Sequence, residues 1–169
     1  MAKRVFAIGL GLFLSITTAC DSGAGPRVDR LEKQVDELKV EVKKNEATAD
    51  LDLQAKCSRD AKAWFNDNWS RDKDTILLDY TNHYNKAQNK CFILVEYHYS
   101  YDKNGSWMNQ MSLWDVYENS KYGHFTEDHI IVYQPKVDRQ DSVLGCEILD
   151  QKCKAVAEFN TLLQPYLNN

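Results

Sequence analysis

The sequence contains little glycine or proline, with seven glycines and three prolines among 169 residues. None of the glycines belongs to a GxGxxG or GxxxxGK[ST] pattern, which would hold nucleotide phosphates at the start of a helix. The chain also lacks a GxSxG turn, and no histidine stands in a familiar signature with a serine or cysteine nucleophile. We therefore expect a protein that binds no cofactor and is not an enzyme.

An excess of basic residues is also absent. The 21 Lys and Arg residues are outnumbered by 25 Asp and Glu residues, which gives a formal net charge of −4. The basic residues form no cluster with interleaved aromatic residues, which is the usual pattern of a nucleic-acid surface. Nucleic acid is therefore not an expected partner. The apolar fraction of 43% and the charged fraction of 27% suit one compact domain with an appendage.

The amino terminus has the order of a secretory signal. Lys3 and Arg4 form a short positive segment, and the uncharged apolar run 5–16 follows it. A transmembrane helix needs about 20 apolar residues, so this run is too short to remain as a membrane span. Two threonines and an alanine then precede Cys20. We therefore expect residues 1–19 to be a signal peptide that is removed on export.

Residues 1–21 resemble the signal and lipobox of bacterial lipoproteins. In that family the cysteine is diacylated, becomes the new amino terminus and usually receives a third acyl chain on its amine. The resemblance implies acyl chains on Cys20 that hold the chain on a bilayer, because two or more chains bind durably. The family usually has leucine where this chain has Thr17, and cleavage after Ala19 without lipidation is the alternative. Asp21 resembles the enterobacterial retention signal, which favours the inner membrane.

Four cysteines remain when Cys20 is set aside. An even number in an exported protein indicates disulfides. Of the three possible pairings we favour Cys57–Cys91, which would join a helix to a strand start, and Cys146–Cys153, which would close a short loop. Buried free thiols are the alternative. No pair has the CxxC spacing of a redox or zinc motif, so neither chemistry is expected.

A leash of small residues over 20–27 leads to a helical stalk predicted over 28–55. Apolar residues in this stretch recur at spacings of 3, 4, 3 and 4, which is a heptad seam with valine at a and leucine at d. Such a seam favours two parallel strands. The seam residues are Val28, Leu31, Val35, Leu38 and Val42.

Other residues of the same stretch oppose an extended coiled coil. Asn45 and Asp52 occupy the next two d positions, so the apolar seam covers little more than two heptads. Glu41 at g and Glu46 at e would repel each other across a parallel homodimer. Two interpretations therefore stay open, a homo-oligomer through residues 28–45 and a lone amphipathic helix.

Residues 91–102 alternate between apolar and polar side chains, as in a strand with one buried face. Asn104 and Gly105 follow, and this dipeptide favours a two-residue type I′ hairpin turn. The turn predicts a second strand in which Val95 faces Trp114, so that the apolar face continues across the hairpin. The other face is mixed in character and contains Leu94, Glu96, His98, Trp107, Met111, Leu113 and Asp115.

The pattern over residues 56–169 predicts a disulfide-stapled α+β domain, with an antiparallel meander packed against helices. Helices and strands alternate with short polar segments, and Pro165 is expected to end the last helix. The expected elements are a helix over 57–65 after a bend at 47–50, strands at 76–84, 91–102 and 129–134, a turn or short edge at 121–124, a polar loop at 136–142 and a helix from 156.

The candidate binding residues are aromatic or polar side chains without a place in the predicted core. Exposed aromatic residues beside polar groups suit contacts with proteins or glycans, which points to Trp107, Tyr117 and Tyr122, with His98 beside them. Partial burial under a neighbouring helix is the alternative. Glu96 and His98 lie two residues apart on one strand face and could form an acid/base pair, or simply a polar sheet surface.

Two further histidines could bind a metal at a turn. His124 and His129 flank Glu127 and Asp128, but their spacing is not that of a known metal motif. An exposed polar turn accounts for this stretch, and no metal is expected.

These patterns predict a non-enzymatic lipoprotein, anchored through Cys20 and facing the periplasm, with a binding or envelope-organising role. An envelope protein is the expected partner. The first alternative is a glycan-binding module that uses Trp107, Tyr117 or Tyr122. The second is a hydrolase that uses Glu96 and His98.

Overall fold

The computed structural model describes residues 24–133 and 137–168. The predicted signal peptide, the lipidation site Cys20 and Asp21 lie outside these residues. The chain divides into two compact units, Met1–Lys43 and Lys44–Asn169. Among the described residues, no helix is both long enough and apolar enough to cross a membrane.

Helix α1 is a single element of 45 residues, Ala24–Asn68. It includes the whole of the predicted stalk and the predicted helix over 57–65. The bend predicted at 47–50 is wrong, because no glycine or proline follows Pro26 within the helix and nothing in the sequence breaks its backbone hydrogen bonds. Side chains from residue 27 to 49 are exposed, including all five of the heptad seam.

The rest of the second unit is an antiparallel meander followed by a helix, so the predicted α+β class is confirmed. The six strands are hydrogen-bonded in sequence order. Helix α2 includes Pro165 and continues for two more residues to Leu167, rather than ending at the proline. The elements after α1 are β1 Thr75–Asn85, β2 Lys90–Ser100, β3 Trp107–Asp115, β4 Ser120–Tyr133, β5 Val137–Ile148, β6 Gln151–Lys152 and α2 Val156–Leu167.

Two segments belong to strands more fully than predicted. The segment 121–124, predicted as a turn or a short edge, lies inside β4, which pairs with strands on both sides, and Gly123 pairs with Ile148. A Cβ atom at Gly123 would lie 2.5 Å from the Glu147 carbonyl oxygen, so glycine permits close strand contact rather than a turn. The predicted loop at 136–142 is largely the first half of β5, whose side chains at 138–142 are all exposed. A strand without a buried face has the composition of a loop.

The β2–β3 hairpin differs from its predicted register by two residues. Val95 pairs with Ser112 rather than with Trp114, and a loop over 101–106 replaces the two-residue turn. The Asp102 carboxylate explains the longer loop, because its Oδ1 accepts hydrogen bonds from the backbone N–H groups of Asn104 and Ser106. A shift of two keeps every side chain on its predicted face, since successive strand residues alternate between faces.

Each face of the sheet is covered by one helix. The carboxyl-terminal part of α1 buries Cys57 and Ala61 against Cys91, Ile93 and Val95 on the first face. Helix α2 buries Phe159 and Leu163 on the second face, against Phe92, Met111, Leu113, Phe125, Cys146 and Ile148.

The two disulfides hold these layers together with the pairing favoured from the sequence. Cys57–Cys91 joins α1 to β2, and Cys146–Cys153 joins β5 to the segment that leads into α2. Both helices therefore lie over the same half of the sheet, the half that contains Phe92 and Ile93. The other half, formed by residues 96–101, 107–110, 126–133 and 138–143, is here called the open end of the sheet.

Candidate functional site

The open end of the sheet presents a different set of side chains on each of its faces. On the α2 side the strand register brings together a polar and aromatic group that we call the histidine face. On the α1 side it brings together a group that we call the tyrosine face. The histidine face consists of Glu96, His98, Trp107, Asn109, Glu127, His129 and Asp141, and the tyrosine face of Tyr97, Tyr99, Tyr101, Met108, Asp128 and Ile130.

Trp107 is the centre of the histidine face. Its ring stacks on that of His129, with the centroids 3.8 Å apart and the planes 24° from parallel. The ring of His98 lies 5.3 Å from the indole, and the Arg139 guanidinium lies 6.0 Å from its centroid. The sheet thus places two predicted binding residues, His98 and Trp107, side by side, and adds His129 to them.

His129 is 3% exposed and is held by charged groups. Its Nδ1 lies 2.7 Å from Asp141 Oδ1, and its Nε2 lies 3.2 Å from Glu127 Oε2, although without hydrogen-bond alignment. Arg139 donates from Nε to the same Asp141 oxygen at 2.6 Å. The hydrogen bond from Arg139, followed by that from His129, lowers the pKa of the Asp141 carboxyl, so this carboxylate stays ionised at neutral pH.

The Glu96–His98 pair is formed, with 3.0 Å between the carboxylate Oε1 and the imidazole Nε2. The Nε2 atom is inaccessible to solvent, and the two groups lack hydrogen-bond alignment. A general base must reach the proton that it abstracts, and here the imidazole nitrogen faces its own carboxylate neighbour. This geometry fits a local polar contact within the sheet surface better than an acid/base centre.

The other two predicted binding residues lie elsewhere. Tyr117 is in the turn after β3, at the opposite end of the strand from Trp107, and Lys56 Nζ lies 4.4 Å from its ring centroid. Tyr122 packs edge-on against Phe92 and Tyr166 in the core under α2. The sheet therefore does not gather Trp107, Tyr117 and Tyr122 into one aromatic platform.

No cluster of three or more potential metal ligands occurs in the part of the chain that the structure describes. The histidines at 124 and 129 do not converge. They are separated by an odd number of positions along β4, so they lie on opposite faces of the strand. Each has its own carboxylate neighbour, Glu147 for His124 and Glu127 with Asp141 for His129.

The tyrosine face was not predicted as a site. The Tyr97 and Tyr99 rings stack with centroids 5.1 Å apart, and Tyr99 Oη donates to Met108 Sδ at 3.0 Å. Tyr101 remains 46% exposed and Ile130 37% exposed. The alternation of β2 correctly placed the tyrosines on one face, but it could not indicate that α1 covers only the half of that face before Tyr97.

Tyr101 is oriented by its partner across the sheet. Its Oη donates to Asp128 Oδ1 at 2.6 Å, and this hydrogen bond to a carboxylate raises the pKa of the phenol to about 12. The bond fixes the ring at the rim of the face while half of the side chain stays available to a partner.

We expect the Tyr101 phenol to ionise at about pH 12, because the neutral form is the one that donates to Asp128. The folded state then holds this proton more tightly than the unfolded state, so the contribution is present below pH 10 and is lost between about pH 10 and 12. NMR titration of ring-labelled tyrosine measures the ionisation. Asp128→Asn should return the pKa toward its ordinary value, and an unchanged titration in that variant would contradict the assignment.

Comparison of the chain with protein-family models, with curated proteins and with solved structures finds no match. Function is therefore argued from the residues and their geometry.

Proposed function

We propose that the chain is a lipid-anchored, periplasm-facing binding protein without enzymatic activity, and that it binds a protein partner with its tyrosine face. The single observation that carries the binding role is the tyrosine face at the open end of the sheet, where Tyr101 and Ile130 remain 46 and 37% exposed. The anchor rests on the signal-like sequence before Cys20. The disulfides are compatible with export.

The composition of the tyrosine face suits a protein partner. Tyrosine and methionine are enriched at protein interfaces, where a few large side chains contribute most of the binding energy. Tyr99 and Tyr101 are held by side-chain hydrogen bonds, so little rotational freedom remains to be lost on binding. Their fixed rings form a preorganised surface, and exposed Ile130 extends it along β4.

A photo-activated cross-linker at position 130 tests this proposal in intact cells. We expect an adduct with one envelope protein, and none from position 149, because Leu149 is also exposed but lies after β5 at the opposite end of the sheet. The purified partner should then bind the domain directly, with a Kd raised at least about tenfold by Ile130→Asp. Leu149→Asp is the matched control and should leave the Kd unchanged.

Two results would contradict the proposal. Equal adducts from positions 130 and 149 would show non-specific collision rather than binding, and an unchanged Kd in Ile130→Asp would remove the tyrosine face from the interface.

A further inference from the structure

We infer that α1 pairs with the α1 helix of a second copy of this chain, in parallel and in register, through residues 28–42. The inference concerns the stalk rather than the tyrosine face. It rests on the proposed function only in that the lipid anchor brings two copies to one membrane.

The seam of α1 is solvent-exposed in the single chain. Val28, Val35 and Val42 at the a positions are 49, 48 and 52% exposed, and Leu31 and Leu38 at the d positions are 59 and 60% exposed. Exposed apolar residues scattered singly are normal, but five on one helical stripe form a continuous apolar surface. A second α1 helix has apolar side chains at the same heptad spacing, so it can bury this stripe along its whole length.

The residue types suit a pair of helices in a parallel arrangement. Valine at a with leucine at d favours two parallel helices, because β-branched side chains fit the a layers of a parallel dimer and leucine fits its d layers. In register, each of the five seam residues meets its own copy. The sequence of layers is therefore Val28, Leu31, Val35, Leu38 and Val42 against the identical residues of the second chain.

The flanking charges alone favour an antiparallel pair, whereas the lipid anchors favour a parallel one. In a parallel pair Arg27 faces Glu32 of the second copy, which is attractive, whereas Glu41 faces Glu46, which is repulsive. In an antiparallel pair Glu32 would face Lys39 and no like charges would meet. That arrangement places the two amino termini at opposite ends of the paired helices, at least about 25 Å apart. Two chains anchored through Cys20 in one membrane therefore favour the parallel pair.

The short seam makes pairing depend on the anchor. Sustained coiled coils usually need about three to four heptads, and this seam covers little more than two. Two chains confined to one bilayer surface meet at an effective concentration far above that of free chains, up to roughly millimolar, without any new contact. The stalk is thus suited to form dimers at the membrane and to remain largely monomeric in dilute solution.

Cysteine cross-linking of the full-length chain in its own membranes tests the inference. We expect Val42→Cys to give a disulfide-linked dimer on mild oxidation, because both copies of position 42 meet in one a layer. Val40→Cys is the matched control, since Val40 is 67% exposed and lies at an f position outside the seam. When the Val42→Cys chain is exported without its lipid anchor, the yield of disulfide-linked dimer should fall at least about tenfold.

Each other outcome has a distinct meaning. No dimer from Val42→Cys, or equal dimer from Val40→Cys, would overturn the pairing. Dimer only from a mixture of Val42→Cys and Leu31→Cys chains would overturn the parallel direction. An intact mass without acyl chains would remove the anchor, and Val42→Cys dimers from such chains would overturn the dependence on the membrane while leaving the seam as the pairing surface.

Discussion

Replacement of residues 1–20 by an export signal that is cleaved without lipidation is expected to move the protein from the membrane fraction to the soluble periplasmic fraction. In the proposed lipoprotein, acyl chains on Cys20 hold the chain on the bilayer, and the replacement removes them. Membrane binding through two or three chains is durable, whereas the unlipidated chain has no comparable apolar segment after residue 20. Fractionation of the two forms, with detection of the mature domain, measures the effect.

The control for this experiment is the intact mass of the natural protein purified from membranes. We expect a chain that begins at Cys20 and carries acyl chains, with a gain of about four hydrogens on reduction of its two disulfides. A protein that stays in the membrane fraction after the exchange would be held there by a partner instead. An unlipidated chain that begins at Cys20 would establish ordinary cleavage after Ala19.

Removal of the Cys57–Cys91 disulfide is expected to lower the free energy of unfolding by about 4 kcal/mol, and removal of Cys146–Cys153 by about 2.5 kcal/mol. The first bond joins residues 34 apart in sequence and the second joins residues 7 apart, and a longer closed loop restricts the unfolded chain more. Denaturant unfolding of the paired Cys→Ala variants measures both values.

The second disulfide is the internal control for the first. Both bonds tie a helical layer to the sheet, so a difference between them reports loop length and local packing rather than the general presence of a cross-link. Cys57 and Cys91 are fully buried, so their replacement by alanine also leaves unfilled space in the core and adds to the loss. Equal losses, or a larger loss from Cys146–Cys153, would contradict the expectation.

Local patterns were sufficient for many parts of the fold. The heptad spacing and the stripe from Cys57 to Phe65 predicted α1, the alternation of residues 91–102 predicted β2, and the spacing after Val156 predicted α2. Cysteine parity, with the positions of Cys57 and Cys91 in those elements, led to the disulfide pairing that the structure contains. These features depend on periodicity within one element, which the sequence records directly.

Other parts depended on contacts between elements. The strand over 138–142 has no buried face, and its pairing with β4 rather than its composition makes it a strand. The hairpin register was set by a side chain, Asp102, that bonds the loop backbone, and this bond is independent of the Asn104-Gly105 signal that predicted a shorter turn. A hydrogen bond of this kind leaves no periodic pattern of apolar and polar residues in the sequence.

The features of the candidate site likewise divide into those that follow from the pattern within one strand and those that depend on contacts between elements. The sequence by itself determined that Glu96, His98 and Trp107 share one face of a hairpin, because face assignment requires only alternation and survives a shift of two residues. Only the tertiary structure decided that His129 stacks on Trp107, that Tyr122 is packed beneath α2, and that half of each sheet face is left uncovered. Exposure is decided by where the helices lie on the sheet, and that position results from packing among residues distant in sequence, such as Phe159 against Phe125.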